Sequence, residues 1–108
     1  MRAYELGIIL NGDLEEAAAQ EQSKAIEKQV TDAGGRIVGQ PDWWGRRRLA
    51  YPIKKRWDGW YVFFNVLAEG GALDEVERSL RIADNVFRHM LLRLPDAEAA
   101  RRGMTEAA

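Results

Sequence analysis

Cysteine is absent from this chain, which excludes disulfides, thiolate metal sites and a cysteine nucleophile. A reducing compartment is compatible with that absence. Long apolar runs are absent too. The longest, Trp60 to Val66, is already interrupted by Asn65 and falls far short of the ~20 apolar residues a membrane helix needs. The opening Met1-Arg2-Ala3-Tyr4-Glu5 lacks the apolar stretch of a signal peptide, so a cytoplasmic location is expected. Histidine occurs once, as His89, with no base, nucleophile or metal co-ligand set beside it, which argues against catalysis and metal binding. An excess of positive charge is also missing. The net charge is −1 and the pI about 5.9, which taken whole speaks against a nucleic-acid binder.

What is present gives a different picture. The 108 residues are 46% hydrophobic and 31% charged, the composition of one folded domain with a modest core. The charge is unevenly spread. Residues 1–45 hold four Lys/Arg against eight Asp/Glu, residues 46–57 hold six Lys/Arg and no acid, and residues 58–94 hold four against six. Local potential rather than net charge decides where a polyanion lands.

Hydrophobic periodicity sets out the elements. Residues 3–10 alternate as a strand, with Tyr4, Leu6, Ile8 and Leu10 on one face. Asn11-Gly12 signals a turn, and Asp13 with Glu16 resembles a capping box opening a helix. Leu14, Ala17, Ala18, Ala25, Ile26, Val30 and Ala33 recur at helical spacing until Gly34-Gly35 stops the run. A second strand starts at Arg36-Ile37-Val38. Pro41 requires an edge position or a bulge there, and residues 43–53 are extended. A turn over residues 54–58 leads to a third strand from Gly59 to Leu67. That strand is apolar on both faces and therefore central. Leu73, Val76 and Leu80 mark a second helix, with Asp74–Arg78 and Glu77–Arg81 as i, i+4 pairs on its solvent side. Residues 86–94 form a fourth strand ended by Pro95, and residues 96–108 read as a flexible C-terminal tail.

The order β-α-β-β-α-β predicts an α+β fold over residues 1–95: a ferredoxin-like sandwich in which two helices cover one face of a four-stranded antiparallel sheet. The other face is open to solvent or a partner. Such a fold hosts many functions and names none.

The most informative stretch is Trp43 to Tyr61, where cations and aromatic rings interleave. Phosphates suit Lys and Arg, while splayed bases suit flat rings and guanidinium planes. The plainer alternative is a solvated charged hairpin with structural tryptophans. Within this stretch, Gly45-Arg46-Arg47-Arg48-Leu49-Ala50-Tyr51-Pro52-Ile53-Lys54, followed by Gly59-Trp60-Tyr61, resembles the signature of the bacterial small-subunit ribosomal protein S-six (S6) family. The opening Met1-Arg2-Ala3-Tyr4-Glu5, running into Ile8-Ile9-Leu10-Asn11, is similar to that family's start. Leu80-Arg81-Ile82 with Asp84-Asn85-Val86 and Arg88 is similar to its passage from second helix to last strand. The three blocks stand in family order over about residues 1–95. The Trp43-Trp44 doublet departs from the family pattern.

The resemblance implies a non-catalytic structural constituent of the small ribosomal subunit, working without a cofactor. It implies binding to the central domain of small-subunit (16S) ribosomal RNA, cooperatively with ribosomal protein S-eighteen (S18), in support of subunit assembly and translation. No membrane and no small-molecule substrate is implied. The expected RNA-contacting residues are Arg2, Arg46, Arg47, Arg48, Lys54, Lys55, Arg56, Arg88 and Arg93, each with solvated surface as the alternative. Arg46 and Arg47 are strand neighbours and must point to opposite faces, so one is expected to meet phosphate and the other to support the fold. Arg88 and Arg93, five apart, also point oppositely. Trp43, Trp44, Trp57 and Tyr61 are the expected anchors for the protein partner. Tyr51 is expected to pack inward.

Three rivals are weaker. An RNA-recognition motif shares the element order, but its third-strand pattern is matched here only by Gly59 and Trp60. A small ferredoxin-like phosphohydrolase needs an anion cradle at a helix start, where this chain has Asp13, Glu15 and Glu16. A dimerisation module using the open sheet would be a side behaviour of the isolated chain.

Overall fold

The computed structural model describes residues 1–104. Its elements are β1 (Arg2–Asn11), α1 (Glu16–Asp32), β2 (Arg36–Ile37), β3 (Asp42–Ile53), β4 (Arg56–Ala68), α2 (Asp74–Ile82), β5 (Val86–Arg93) and α3 (Asp96–Arg101). All strand pairings are antiparallel. β4 and β5 flank β1, and the far edge of β4 carries β2 and β3 in succession. The expected second strand is thus broken in two at Gly39–Pro41, where proline cannot donate to the ladder. The ferredoxin-like arrangement is the one the element order predicts.

The core lies between the sheet and the two longer helices. Leu6, Ile8 and Leu10 of β1 and Trp60, Val62, Phe64 and Val66 of β4 meet Ile26, Val30, Val76 and Leu80 from α1 and α2. Each fully buried large side chain contributes about 1.5–3 kcal/mol. The α1 stripe differs from the expected one. Ala19, Ser23, Ile26 and Val30 are buried, whereas Ala17, Ala18 and Ala25 face solvent. Alanine is too small to set a helix's rotation, so the larger Ile26 and Val30 decide it.

The helix starts also differ. α1 begins at Glu16 after Glu15, with no side-chain cap. Asp13 lies two residues ahead of the capping position, and its carboxylate pairs with Arg56 at 2.7 Å. Arg78 pairs with Glu75 rather than Asp74, and Glu77 faces His89 across to β5 at 3.6 Å rather than Arg81.

Two corrections fall nearer the functional surface. The turn expected over residues 54–58 is only Lys54-Lys55, with Ile53 paired to Arg56 and β4 starting at Arg56. Both lysines have positive φ, 49° and 65°, as a two-residue type I′ hairpin demands. The segment expected to be a flexible tail is ordered as far as Met104. There α3 folds back so that Ala99 and Met104 pack on Ala3, Leu67 and Leu94. Alternation failed to reveal this because the cover consists of small residues and one distant methionine. Residues 105–108 of that expected tail lie outside the described residues.

Candidate nucleic-acid and protein interface

The sheet face away from α1 and α2 is divided. Register places Glu5, Gly7 and Ile9 of β1 beside Asn65, Phe63 and Tyr61 of β4 and beside Leu92, Met90 and Arg88 of β5. At one end α3 covers it. Arg102 donates to Glu5 at 3.0 Å, to Asn65 at 3.1 Å and to Glu98 at 2.8 Å. The hydrogen bond from Arg102 is the main reason the Glu98 carboxyl lies below its ordinary range. The positive charges of Arg101 and Arg102 add to it, and partial desolvation opposes it.

The other end is uncovered. Trp44 stacks on Tyr61 with ring centroids 6.1 Å apart and tilts against Phe63 at 4.6 Å. Arg47 lies over the Trp44 ring at 5.3 Å. Phe63 can lie flat on β1 only because residue 7 is glycine, since a Cβ there would stand 2.8 Å from the ring. Beside these rings, Gly7, Ile9, Tyr61, Phe63, Arg88 and Met90 line an open groove of about 230 Å³. Trp44, Met90 and Leu92 are exposed. Phe63, Met90 and Leu92 were not singled out in the sequence. The signal was there in the alternation of Arg88, Met90 and Leu92 along the last strand. Trp44 reaches this face through an irregularity between Trp43 and Gly45, where Gly45 takes φ 84°.

The expected partner anchors therefore separate. Trp44 and Tyr61 belong to the open patch. Trp43 does not, because it stacks on Trp60 at 5.6 Å on the helix side and packs against the core. Trp57 stands apart on the hairpin, with the Arg48 guanidinium 4.9 Å above its ring.

The expected RNA-contacting cations separate in the same way. Arg46 faces the helix side, donating to the Leu14 carbonyl at 3.1 Å and lying over Trp60, whose indole N–H donates to the same carbonyl. It ties the hairpin to the approach to α1, while its neighbour Arg47 is on the open face. Arg56, expected in a loop, is a strand residue held by Asp13. Lys54 reaches back over Phe87 and to the Asp84 carbonyl at 3.4 Å. Arg88 donates to the Tyr51 hydroxyl at 3.0 Å. Tyr51 is thus no buried anchor; it is 54% exposed and braces the hairpin against β5. Arg48 and Lys55 are exposed on the hairpin. Arg2 and Arg93 line a separate hollow beside α3, remote in the fold from the hairpin turn. The structure thus gathers Arg47, Arg48, Lys54, Lys55 and Arg88 around one hairpin and leaves Arg2 and Arg93 elsewhere.

Comparison with known proteins gives this geometry a lineage. Residues 3–93 match the family model for ribosomal protein S6. The chain belongs to the ribosomal protein S6 family. Small ribosomal subunit protein bS6 of Desulforudis audaxviator is 41% identical over 93 residues, covering 86% of this chain and 98% of that protein. Its counterpart in Syntrophomonas wolfei is 34% identical over 93 residues, covering 86% and 96%. Among solved structures, 30S ribosomal protein S6 from Thermotoga maritima superposes with a TM-score of 0.84 at 26% identity, over 94% of this chain and 95% of that one. The S6 family is a structural component of the small ribosomal subunit and not an enzyme. Among the described residues of this S6 chain, no helix is long and apolar enough to cross a membrane.

Proposed function

We propose that this chain binds the central domain of small-subunit (16S) ribosomal RNA together with ribosomal protein S18, in the cytoplasm, as an assembly scaffold of the small subunit. The ferredoxin-like domain of residues 1–95 carries both surfaces. The cationic hairpin meets RNA through phosphate and shape, and the uncovered aromatic end of the sheet takes the protein partner. The observation that carries the reading is the adjacency of the two. Arg47 sits on the ring of Trp44, so the RNA-facing cations and the partner-facing rings share one continuous border. A partner seated on the rings extends the cationic edge, and the RNA then sees a composite surface. Cooperativity follows, with each ligand ordering the other's site by about 1–3 kcal/mol.

Equilibrium binding to a central-domain RNA fragment, across a salt series with and without S18, tests this. Tight, salt-sensitive binding that depends on the partner is expected. Equal RNA affinity with and without S18 refutes the composite surface, and no binding under either condition refutes the RNA role.

A further inference from the structure

Trp57 occupies an unusual position. It lies at the start of β4, two residues after the Lys54-Lys55 turn, and 45% of it is exposed. The planar guanidinium of Arg48 sits 4.9 Å above its ring. Trp57 does not join the Trp44–Tyr61–Phe63 patch. Tyr61 is four residues further along the strand, about 13 Å away. Between them Gly59 presents no side chain, and Ile9 and Leu49 close over the gap. The surroundings are cationic: Arg48, Lys54, Lys55 and Arg56. The nearby acids are Asp13, already paired with Arg56, and Asp58, opposite Arg48 in the register.

The turn adds an independent indication. Side chains other than glycine and asparagine pay for left-handed backbone, yet both turn residues here are lysines with positive φ. Strained backbone clusters at functional sites. Here the strained turn stands two residues ahead of Trp57 and exposes Lys55, while Lys54 turns to Phe87 and the Asp84 carbonyl.

We infer that Trp57, backed by Arg48, is a stacking platform for an unpaired base of the bound RNA, with Lys55 of the turn holding a phosphate that flanks that base. A π face backed by a cation, two residues from a turn with an exposed lysine, matches a nucleotide, which offers a flat ring and an anion about one residue apart. It matches an apolar protein surface poorly, because that would desolvate the exposed Arg48 and Lys55 side chains. The inference rests on the RNA-binding reading above and assigns Trp57 to the RNA instead of the protein partner.

The test compares the full chain with its Trp57→Leu and Trp57→Tyr variants on the same RNA fragment with the protein partner present. Each variant is also titrated with the partner alone, and thermal melting confirms folding. Trp57→Leu is expected to lose about ten-fold in RNA affinity at an unchanged salt slope, because a stack releases no counterions. Trp57→Tyr is expected to restore most of the loss, and neither variant is expected to change partner affinity. Unchanged RNA affinity in a folded Trp57→Leu variant overturns the inference while leaving the RNA-binding reading intact. So does a loss confined to the partner titration, which would make Trp57 a protein contact. Absence of RNA binding by the unaltered chain overturns the underlying reading, and the inference with it.

Discussion

The two ends of the open sheet face solve the same problem in opposite ways. At the α3 end, Leu67 and Ala3 are sealed by Ala99 and Met104, and the polar neighbours Glu5 and Asn65 are satisfied by Arg102. At the hairpin end, Trp44, Tyr61, Phe63 and Met90 have no such cover. The chain can close a sheet face over itself and does so at one end. Leaving the other end bare is therefore a property of that end, and an uncovered apolar surface rimmed by cations marks an interaction site.

The contrast can be broken from either side. The largest effect is expected from removing residues 96–108, which uncovers Leu67 and Leu94. Stability in urea unfolding should fall by about 3 kcal/mol, with the helix-side core still folding. An unchanged midpoint would mean that α3 contributes nothing. Next comes Trp44→Ala at the bare end. Stability should move by no more than about 0.5 kcal/mol, while S18 affinity measured by calorimetry should drop by about 2 kcal/mol, roughly thirty-fold. The reverse pattern would place Trp44 among structural residues. Third, Lys54→Asn with Lys55→Gly replaces strained lysines by residues suited to a type I′ turn. It should stabilise the protein by about 1 kcal/mol while weakening RNA binding, a trade that thermal melts and RNA titration read together.

The smallest effect is expected from Arg102→Ala, a loss of about 0.5–1 kcal/mol. Its sharper signature is in pH. Because the Glu98 carboxyl titrates below its ordinary range in the folded chain, its contribution is present at neutral pH and is lost as the pH falls through that lowered value. In Arg102→Ala the Glu98 titration followed by NMR should move up toward the ordinary carboxylate range.

Much of this was legible in the sequence. Alternation in residues 3–10 and 59–67 gave the two central strands, and the Leu73–Val76–Leu80 spacing gave α2 its buried face. Neighbouring arginines at positions 46 and 47 had to diverge, and they do. What stayed hidden depended on contacts between distant parts of the chain. Asp13 reads as a helix cap, but the helix starts later, after Glu15, and Asp13 pairs with Arg56. Four tryptophans look alike in one dimension, but Trp43 is claimed by Trp60, Trp44 by Tyr61 and Phe63, and Trp57 by Arg48. The fold-back of α3 carries a weak hydrophobic pattern because its apolar contacts are one alanine, Ala99, and Met104 five residues beyond it.

RNA binding by this chain turns on whether the hairpin cations meet phosphate. The direct measurement is the dependence of RNA affinity on salt, with S18 present, for the unaltered chain and for one carrying Arg47→Gln, Arg48→Gln and Lys55→Gln. These three are chosen because Arg46 and Arg56 hold the fold together. A log–log slope shallower by about 2 in the variant is the expected result. A slope equal to that of the unaltered chain would show that these cations face only water.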